Sequence, residues 1–282
     1  MKHALLRLAR VVSLVLLAGL GTIAMVRDAP GYLTDEREMD GRYAAAGQAS
    51  VLAQQGSMLT LVREWAHGDL GVSRHYGVPV AELMGSAARV SLRLLVLGTG
   101  LGWLLAFALA LPLSARRGTA WEPGIAAPAT LLLAIPVGAL ATFCMVADVG
   151  GPVLVLAALI AGRDFKLVYR LLRETWGAPH ILYARAQGLA WHRVAARHLL
   201  RPLTGELFAL GMMSFVVALS ALVPVEVIFD VPGLGRLAWT AAMNRDLPVL
   251  LAVTLVMAAC VGVASLFAEP VRVFVPEGEA LA

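Results

Sequence analysis

Charge is scarce in this sequence. Of its 282 residues only 15% are Asp, Glu, Lys or Arg, where a soluble domain carries about 25%. Aromatic residues make up 7%, and the two cysteines, Cys144 and Cys260, each sit inside an apolar run. Two cysteines so placed build neither a disulfide framework nor a CxxC pair and read as small buried hydrophobes. No GxxxxGK[ST] phosphate loop occurs, so the chain does not bind and split a nucleotide in the usual way. No GxSxG elbow or HExxH pair is present either, and His180, His192 and His198 lack metal-ligand spacing. No catalytic residue, resident metal or cofactor is therefore expected. What fills the chain instead is apolar: 59% of residues are hydrophobic and the mean hydropathy is +0.77. A soluble core cannot absorb that much apolar surface and keep a polar skin, which leaves a polytopic membrane protein as the class.

The apolar residues are grouped. Val11–Val26 follows Lys2, Arg7 and Arg10, a pattern shared by signal peptides and first spans; with no A-x-A site after it, an uncleaved first span, residues 1–26, is favoured over a signal peptide. Residues 27–87 are polar and mixed, with helical spacing at Leu52, Leu59, Leu61, Val62 and Trp65 and then a turn-rich stretch. This is a small extramembrane unit. Further spans are expected at about Val90–Leu113, Ile125–Val146, from Pro152 onward, Leu203–Val223 and Leu247–Phe267. The expected architecture is all-α and polytopic, with about six transmembrane helices, a unit at 27–87 between the first and second, and a transmembrane core over 88–282.

The few charges orient these spans. Residues 27–87 hold five arginines against eight acids, whereas 163–201 holds eight basic residues against Asp164 and Glu174. The positive-inside rule puts the N-terminus, the Arg116–Arg117 connection, the basic loop at about 163–202 and the C-terminus in the cytoplasm, and the 27–87 unit outside. The net charge of +4 then records topology, and nucleic acid is not an expected partner.

The basic loop has internal order. Ile181–Gly188 is a helix candidate ended by Gly188, and Trp191–Leu200 starts another, with Val194, Ala195 and Leu199 opposite Arg193 and Arg197. Two short helices at a bend suit docking on a partner, or a headgroup-hugging amphipathic helix. After the fifth span, Pro232-Gly233-Leu234-Gly235-Arg236 reads as a turn in which Pro232 fixes φ, Gly233 takes a positive φ and Gly235 relieves crowding.

These stretches carry a resemblance. Tyr183-Ala184-Arg185-Ala186-Gln187-Gly188-Leu189, followed by Arg193-Val194 and Arg197-His198-Leu199-Leu200, is similar to the EAA loop of binding-protein-dependent ABC importer permeases of the dipeptide/oligopeptide/nickel branch. Val225-Glu226-Val227-Ile228-Phe229-Asp230-Val231-Pro232-Gly233-Leu234-Gly235-Arg236, Asn244-Arg245-Asp246-Leu247-Pro248 and Glu269-Pro270 resemble that branch in the same order, as do Gly68-Asp69-Leu70-Gly71-Val72-Ser73 and Val78-Pro79-Val80 upstream. Leu182-Tyr183 and Gln187 depart from it, and so does the short Ala147–Gly151 connection.

The resemblance implies a permease subunit with no chemistry of its own in the bacterial inner membrane. Half of a translocation pathway would come from this chain and half from a homologous permease. Two cytoplasmic ATPases would bind at the EAA loops, and an extracytoplasmic solute-binding protein would dock outside. The implied coupling residues are Tyr183, Ala184, Arg185, Ala186, Gly188, Leu189 and Arg193. The implied outer-gate and turn residues are Glu226, Phe229, Pro232, Gly233, Gly235 and Arg236. Ionisable residues beside spans are functional suspects. Arg89, Arg93, Glu206 and Glu226 lie near interfaces, where packing or snorkelling is ordinary, and Glu226 is the candidate for a carboxylate facing a central cavity. An ion-coupled secondary carrier would need acids deep in the spans, and none is expected there. A non-transporting assembly subunit is the third reading.

Overall fold

A computed structural model describes residues 2–28, 70–115, 134–244 and 246–268, together with Gly124, Ala127 and Leu131. The Leu52–Trp65 stripe, the Arg116–Arg117 connection, Arg245 and Glu269-Pro270 lie outside the described residues. The regular structure of the described residues is helical, apart from one isolated antiparallel bridge between Val72 and Pro79. In chain order the helices are α1 (Lys2–Asp28), α2 (Val80–Ser114), α3 (Val137–Val146), α4 (Pro152–Trp176), α5 (Pro179–Ala186), α6 (Trp191–Arg193, continued by π-helical turns over Val194–Leu200), α7 (Thr204–Ile228), α8 (Leu234–Met243) and α9 (Leu247–Ala268).

Among the described residues α2, α7 and α9 are long and apolar enough to cross a membrane, and α1 carries a shorter apolar run, Ala9–Thr22. Of the remaining expected spans, one differs from the sequence reading and one follows it. The one at Ile125–Val146 is interrupted at Ile135-Pro136, and α3 has only ten residues, because proline lacks the N–H that would continue a helix and biases the residue before it away from helical φ/ψ. The one beginning at Pro152 continues without a break through Arg163, Asp164 and Lys166 to Trp176. The polar unit also ends earlier than expected, since Val80 already opens α2.

The bundle is built on the pair α2–α4. On α2 the buried positions include Gly98, Gly102, Ala106 and Ala110, four residues apart. A Cβ on Gly98 would stand 2.7 Å from Leu156 Cβ, and one on Gly102 would stand 2.7 Å from Ile160 Cβ and 2.9 Å from the Ala157 carbonyl. Small residues thus let the two backbones approach closely, which is how helices associate in lipid, where apolar burial supplies no drive. Elsewhere α2 exposes Leu92, Val96, Leu97, Leu104 and Leu109, each more than half accessible. Small residues inside and leucines outside is the arrangement of a helix facing hydrocarbon. Helix α7 packs against α2, α3, α4, α8 and α9, and α1 packs on α9, with Gly262 opposite Val11 and Gly19 opposite Leu255.

Candidate functional site

Two ends of the bundle gather the residues that the sequence singled out. Helix α2 joins them over 35 residues, about 50 Å at 1.5 Å per residue.

At one end α4 runs into the basic loop. Pro179 opens α5 at its first turn, Ala178 before it is extended, and Gly188 ends the segment at φ +75°, a left-handed conformation that glycine adopts without Cβ strain. Ile181 and Ala184 face inward and are buried with Val194, Ala195 and Leu199 of α6, Leu172 of α4 and Ala110 of α2. The indole N–H of Trp176 donates to Ser114 Oγ at 3.0 Å, tying the end of α4 to the end of α2. The Nε2–H of His180 donates to the His198 carbonyl at 3.3 Å, tying α5 to α6. The loop is therefore anchored to the α2–α4 pair.

Its outer surface is formed by Leu182, Tyr183, Arg185, Ala186, Gln187 and Gly188, all exposed, with Leu189 half-buried and Arg193 exposed. Ala184, one of the residues that the resemblance implies for coupling, is not on this surface. It lies on the buried face of α5, so its small side chain serves packing within the chain. Arg185, Leu189, Trp191, Trp176, Val194 and Ala115 surround a polar cavity of about 240 Å³ beside α5.

At the other end three motif stretches form one knot. Residues 71–80 make a tight hairpin closed by Ser73 N–H to the Val78 carbonyl (2.9 Å) and Val80 N–H to the Gly71 carbonyl (3.0 Å). Asp246, 1% exposed, receives the Ser73 hydroxyl and the backbone N–H groups of Arg74 (3.3 Å) and His75 (3.2 Å). The Ser73 hydroxyl in turn accepts the Tyr76 N–H at 3.0 Å.

Glu226 is fully buried near the end of α7. It accepts the Ser91 hydroxyl of α2 at 2.5 Å and the N–H groups of Gly235 (2.7 Å) and Arg236 (3.2 Å) in the first turn of α8. Ser91 Oγ itself accepts the Leu234 N–H at 2.7 Å. One carboxylate and one hydroxyl therefore satisfy three N–H groups that begin α8, where the helix dipole also favours a negative group. Among the described residues Glu226 caps the first turn of α8.

Two further corrections concern the turn. Gly233 has φ −106°, not a positive φ; the left-handed residue is Asp230, at φ +55°. What excludes a side chain at Gly233 is the Glu226 carboxylate, which a Cβ there would strike. The segment is also more than a turn, because it leads into the ten-residue α8. Gly235 does relieve crowding, since its Cβ would stand 2.8 Å from the Leu222–Val223 backbone. Phe229 packs against the cluster around Leu219 and Leu222, Pro232 is exposed, and Arg236 pairs with Asp230 at 2.6 Å.

Sequence reasoning passed over Asp164, which lies at the centre of α4 with no accessible surface. It accepts the Ser214 hydroxyl of α7 at 2.5 Å and pairs with Arg163 at 3.2 Å. Arg89 and Arg93 are exposed and Glu206 is half-buried.

Residues 98–272 match the family described as binding-protein-dependent transport system inner membrane component. The metal-staphylopine import system permease protein of Staphylococcus aureus is 28% identical over 207 residues, covering 67% of this chain; the chain spans 66% of that relative, just under two thirds. The oligopeptide transport system permease protein of Escherichia coli is 24% identical over 259 residues, covering 83% of this chain and 85% of that protein. Its Salmonella typhimurium counterpart is 24% identical over 269 residues with the same coverage. With more than half of its length matched, this all-α membrane chain belongs to the binding-protein-dependent transport inner membrane components, the permeases of ABC importers.

Proposed function

We propose that the chain is one permease subunit of an ATP-driven importer of peptides or similar small solutes. It forms half of the pathway with a homologous permease, and two cytoplasmic ATPases dock on α5. A solute-binding protein docks at the opposite end, beside the 71–80 hairpin. The N- and C-termini are cytoplasmic. The observation that carries this reading is the two-faced α5: Ile181 and Ala184 root it in the α2–α4 pair, while Tyr183, Arg185 and Ala186 are presented outward. A short helix so rooted passes a push from a docked partner into the bundle rather than yielding to it. The similarity to an oligopeptide transport permease and a metal-staphylopine import permease supports a peptide or similar small solute.

The test is uptake of a labelled tripeptide by proteoliposomes holding this chain with its partner permease, ATPases and binding protein. Uptake that needs ATP and stops with vanadate is expected. Uptake that ignores ATP and collapses with a proton ionophore would replace this reading with that of a secondary carrier, for which the buried Asp164 would be the first suspect.

A further inference from the structure

Arg89 and Arg93 stand outside the hairpin knot and the α8 cap, although they flank Ser91, which meets Glu226 near the end of α7. Both are exposed. Among the described residues neither has a carboxylate partner, because Glu226 is committed to the start of α8 and Asp230 to Arg236. Glu82 is exposed on the same helix but lies seven residues before Arg89, about 10 Å along the axis. The Nε–H of Arg89 donates to the Gly85 carbonyl at 3.2 Å, so this guanidinium leans toward the hairpin end of α2, as the tilt of helix side chains toward the N-terminus favours.

Further along α2, away from the hairpin, α2 and α7 part to leave an apolar groove of about 410 Å³. Val96, Gly100 and Trp103 line it from α2, and Phe208, Gly211 and Phe215 from α7. Arg89, Arg93, Val96, Gly100 and Trp103 follow one another at alternating spacings of four and three, so the arginines and the groove wall share one stripe of the helix. From Arg93 to Trp103 is ten residues, about 15 Å, which is half of a hydrocarbon core about 30 Å thick. The groove is open at its side, where Val96 and Phe208 are at least half exposed. A Cβ on Gly100 would meet nothing there.

We propose that this stripe binds one anionic phospholipid, its phosphate held by Arg89 and Arg93 and one acyl chain lying in the groove between α2 and α7. Guanidinium groups match phosphate oxygens in charge and in geometry. The arginines mark the headgroup level, and the groove lies at the depth of the chain beneath it. A solute carboxylate would find the charge but no polar partner in the groove. A helix of a second subunit would have to bring an acid to the arginines, whereas a phospholipid brings the charge and the apolar chain in one molecule. The bound chain fills the space where α2 and α7 part, and so braces the two helices below the Ser91–Glu226 contact.

The test is native mass spectrometry of the complex that the tagged chain brings from its membrane, delipidated in detergent and titrated with phosphatidylglycerol or phosphatidylcholine. Phosphatidylglycerol should bind more tightly than phosphatidylcholine. Each arginine near a lipid headgroup contributes about fivefold, so Arg89→Gln with Arg93→Gln should weaken phosphatidylglycerol binding roughly tenfold or more, and Arg89→Lys with Arg93→Lys should keep most of it. Gly100→Trp, which fills the groove from an uncrowded position, should remove one bound lipid while leaving the melting point of the delipidated complex unchanged. Lipid binding unchanged in the glutamine pair or in Gly100→Trp would overturn the site; loss in the glutamine pair alone would leave only ordinary headgroup contact. Displacement of the lipid by a tripeptide would overturn it by assigning the arginines to the solute. So would cross-linking of a cysteine at Gly100 to the partner permease, which would give the groove to a protein helix.

Discussion

The Ser91 hydroxyl of α2 donates to the Glu226 carboxylate of α7 at 2.5 Å, across 135 residues of sequence, and the pair together closes the first turn of α8. Replacing Glu226 by alanine strips partners from the Ser91 hydroxyl and from the Gly235 and Arg236 N–H groups. Each orphaned group costs about 1–3 kcal/mol in a site that water does not reach. Glu226→Ala should therefore lower the thermal unfolding midpoint in detergent markedly. Glu226→Gln, which keeps an acceptor oxygen, should lose less. Equal loss in both variants would mean that the charge rather than the capping oxygen matters.

A second prediction separates two glycines. At Gly235 an added Cβ meets backbone at 2.8 Å, and backbone cannot step aside. Gly188 sits at φ +75° in open space, so alanine there costs only conformational strain of about 1–2 kcal/mol. Gly235→Ala should fail to accumulate in membranes, while Gly188→Ala should accumulate at nearly the normal level. Immunoblots of membrane fractions decide between them.

A third concerns the hairpin. Asp246 alone holds the Ser73 hydroxyl and the Arg74 and His75 N–H groups. Asp246→Ala should free the loop without dissolving the helices beside it. Trypsin cleavage after Arg74, and hydrogen exchange at residues 73–77, should accelerate relative to the rest of the chain. Unchanged protection at those amides would show that the Val72–Pro79 bridge suffices by itself.

A fourth concerns the α2–α4 contact. Valine at Gly102 would drive into Ile160 and the Ala157 carbonyl, and small-to-large changes in close-packed interiors cost about 1–3 kcal/mol or more. Gly102→Val should destabilise the detergent-solubilised protein, and Gly100→Val, on the open side of the same helix turn, should not. Matching melting behaviour for the two variants would contradict the close approach of these helices.

What the sequence disclosed and what it hid have physical causes. The two helices of the basic loop, with Gly188 between them, were legible because helix stops and the alternation of Ile181, Ala184, Val194 and Leu199 are local signals. The start of α7 and both limits of α9 are legible because a bilayer-length apolar run has few alternatives, whereas α7 runs past the expected Val223 to Ile228. The break at Pro136 was underweighted because membrane helices elsewhere tolerate proline, and α7 does so at Pro224. Helix α8 was read as a bare turn because its start is marked by no capping residue of its own; the acceptors come from Glu226 and Ser91. Those partners, like Asp164 with Ser214 and Asp246 with Ser73, join residues far apart in the chain, and a single sequence gives no sign of which serine meets which acid. The motifs around Glu226 and Asp246 could be recognised as segments, but that they tie into one knot at one end of α2 is visible only in three dimensions.

The central claim is that α5 receives force from a separate ATPase. It is tested most directly by purifying the tagged chain from its native membrane, unmutated and as Ala186→Trp, and measuring vanadate-sensitive ATP hydrolysis in the eluate. Ala186 is exposed on the outward face of α5, so a bulky side chain there blocks docking without disturbing the buried anchor. The account predicts hydrolysis with the unmutated chain and its loss in the variant at equal membrane insertion. Equal hydrolysis in both, or none with the unmutated chain in intact assemblies, would contradict it.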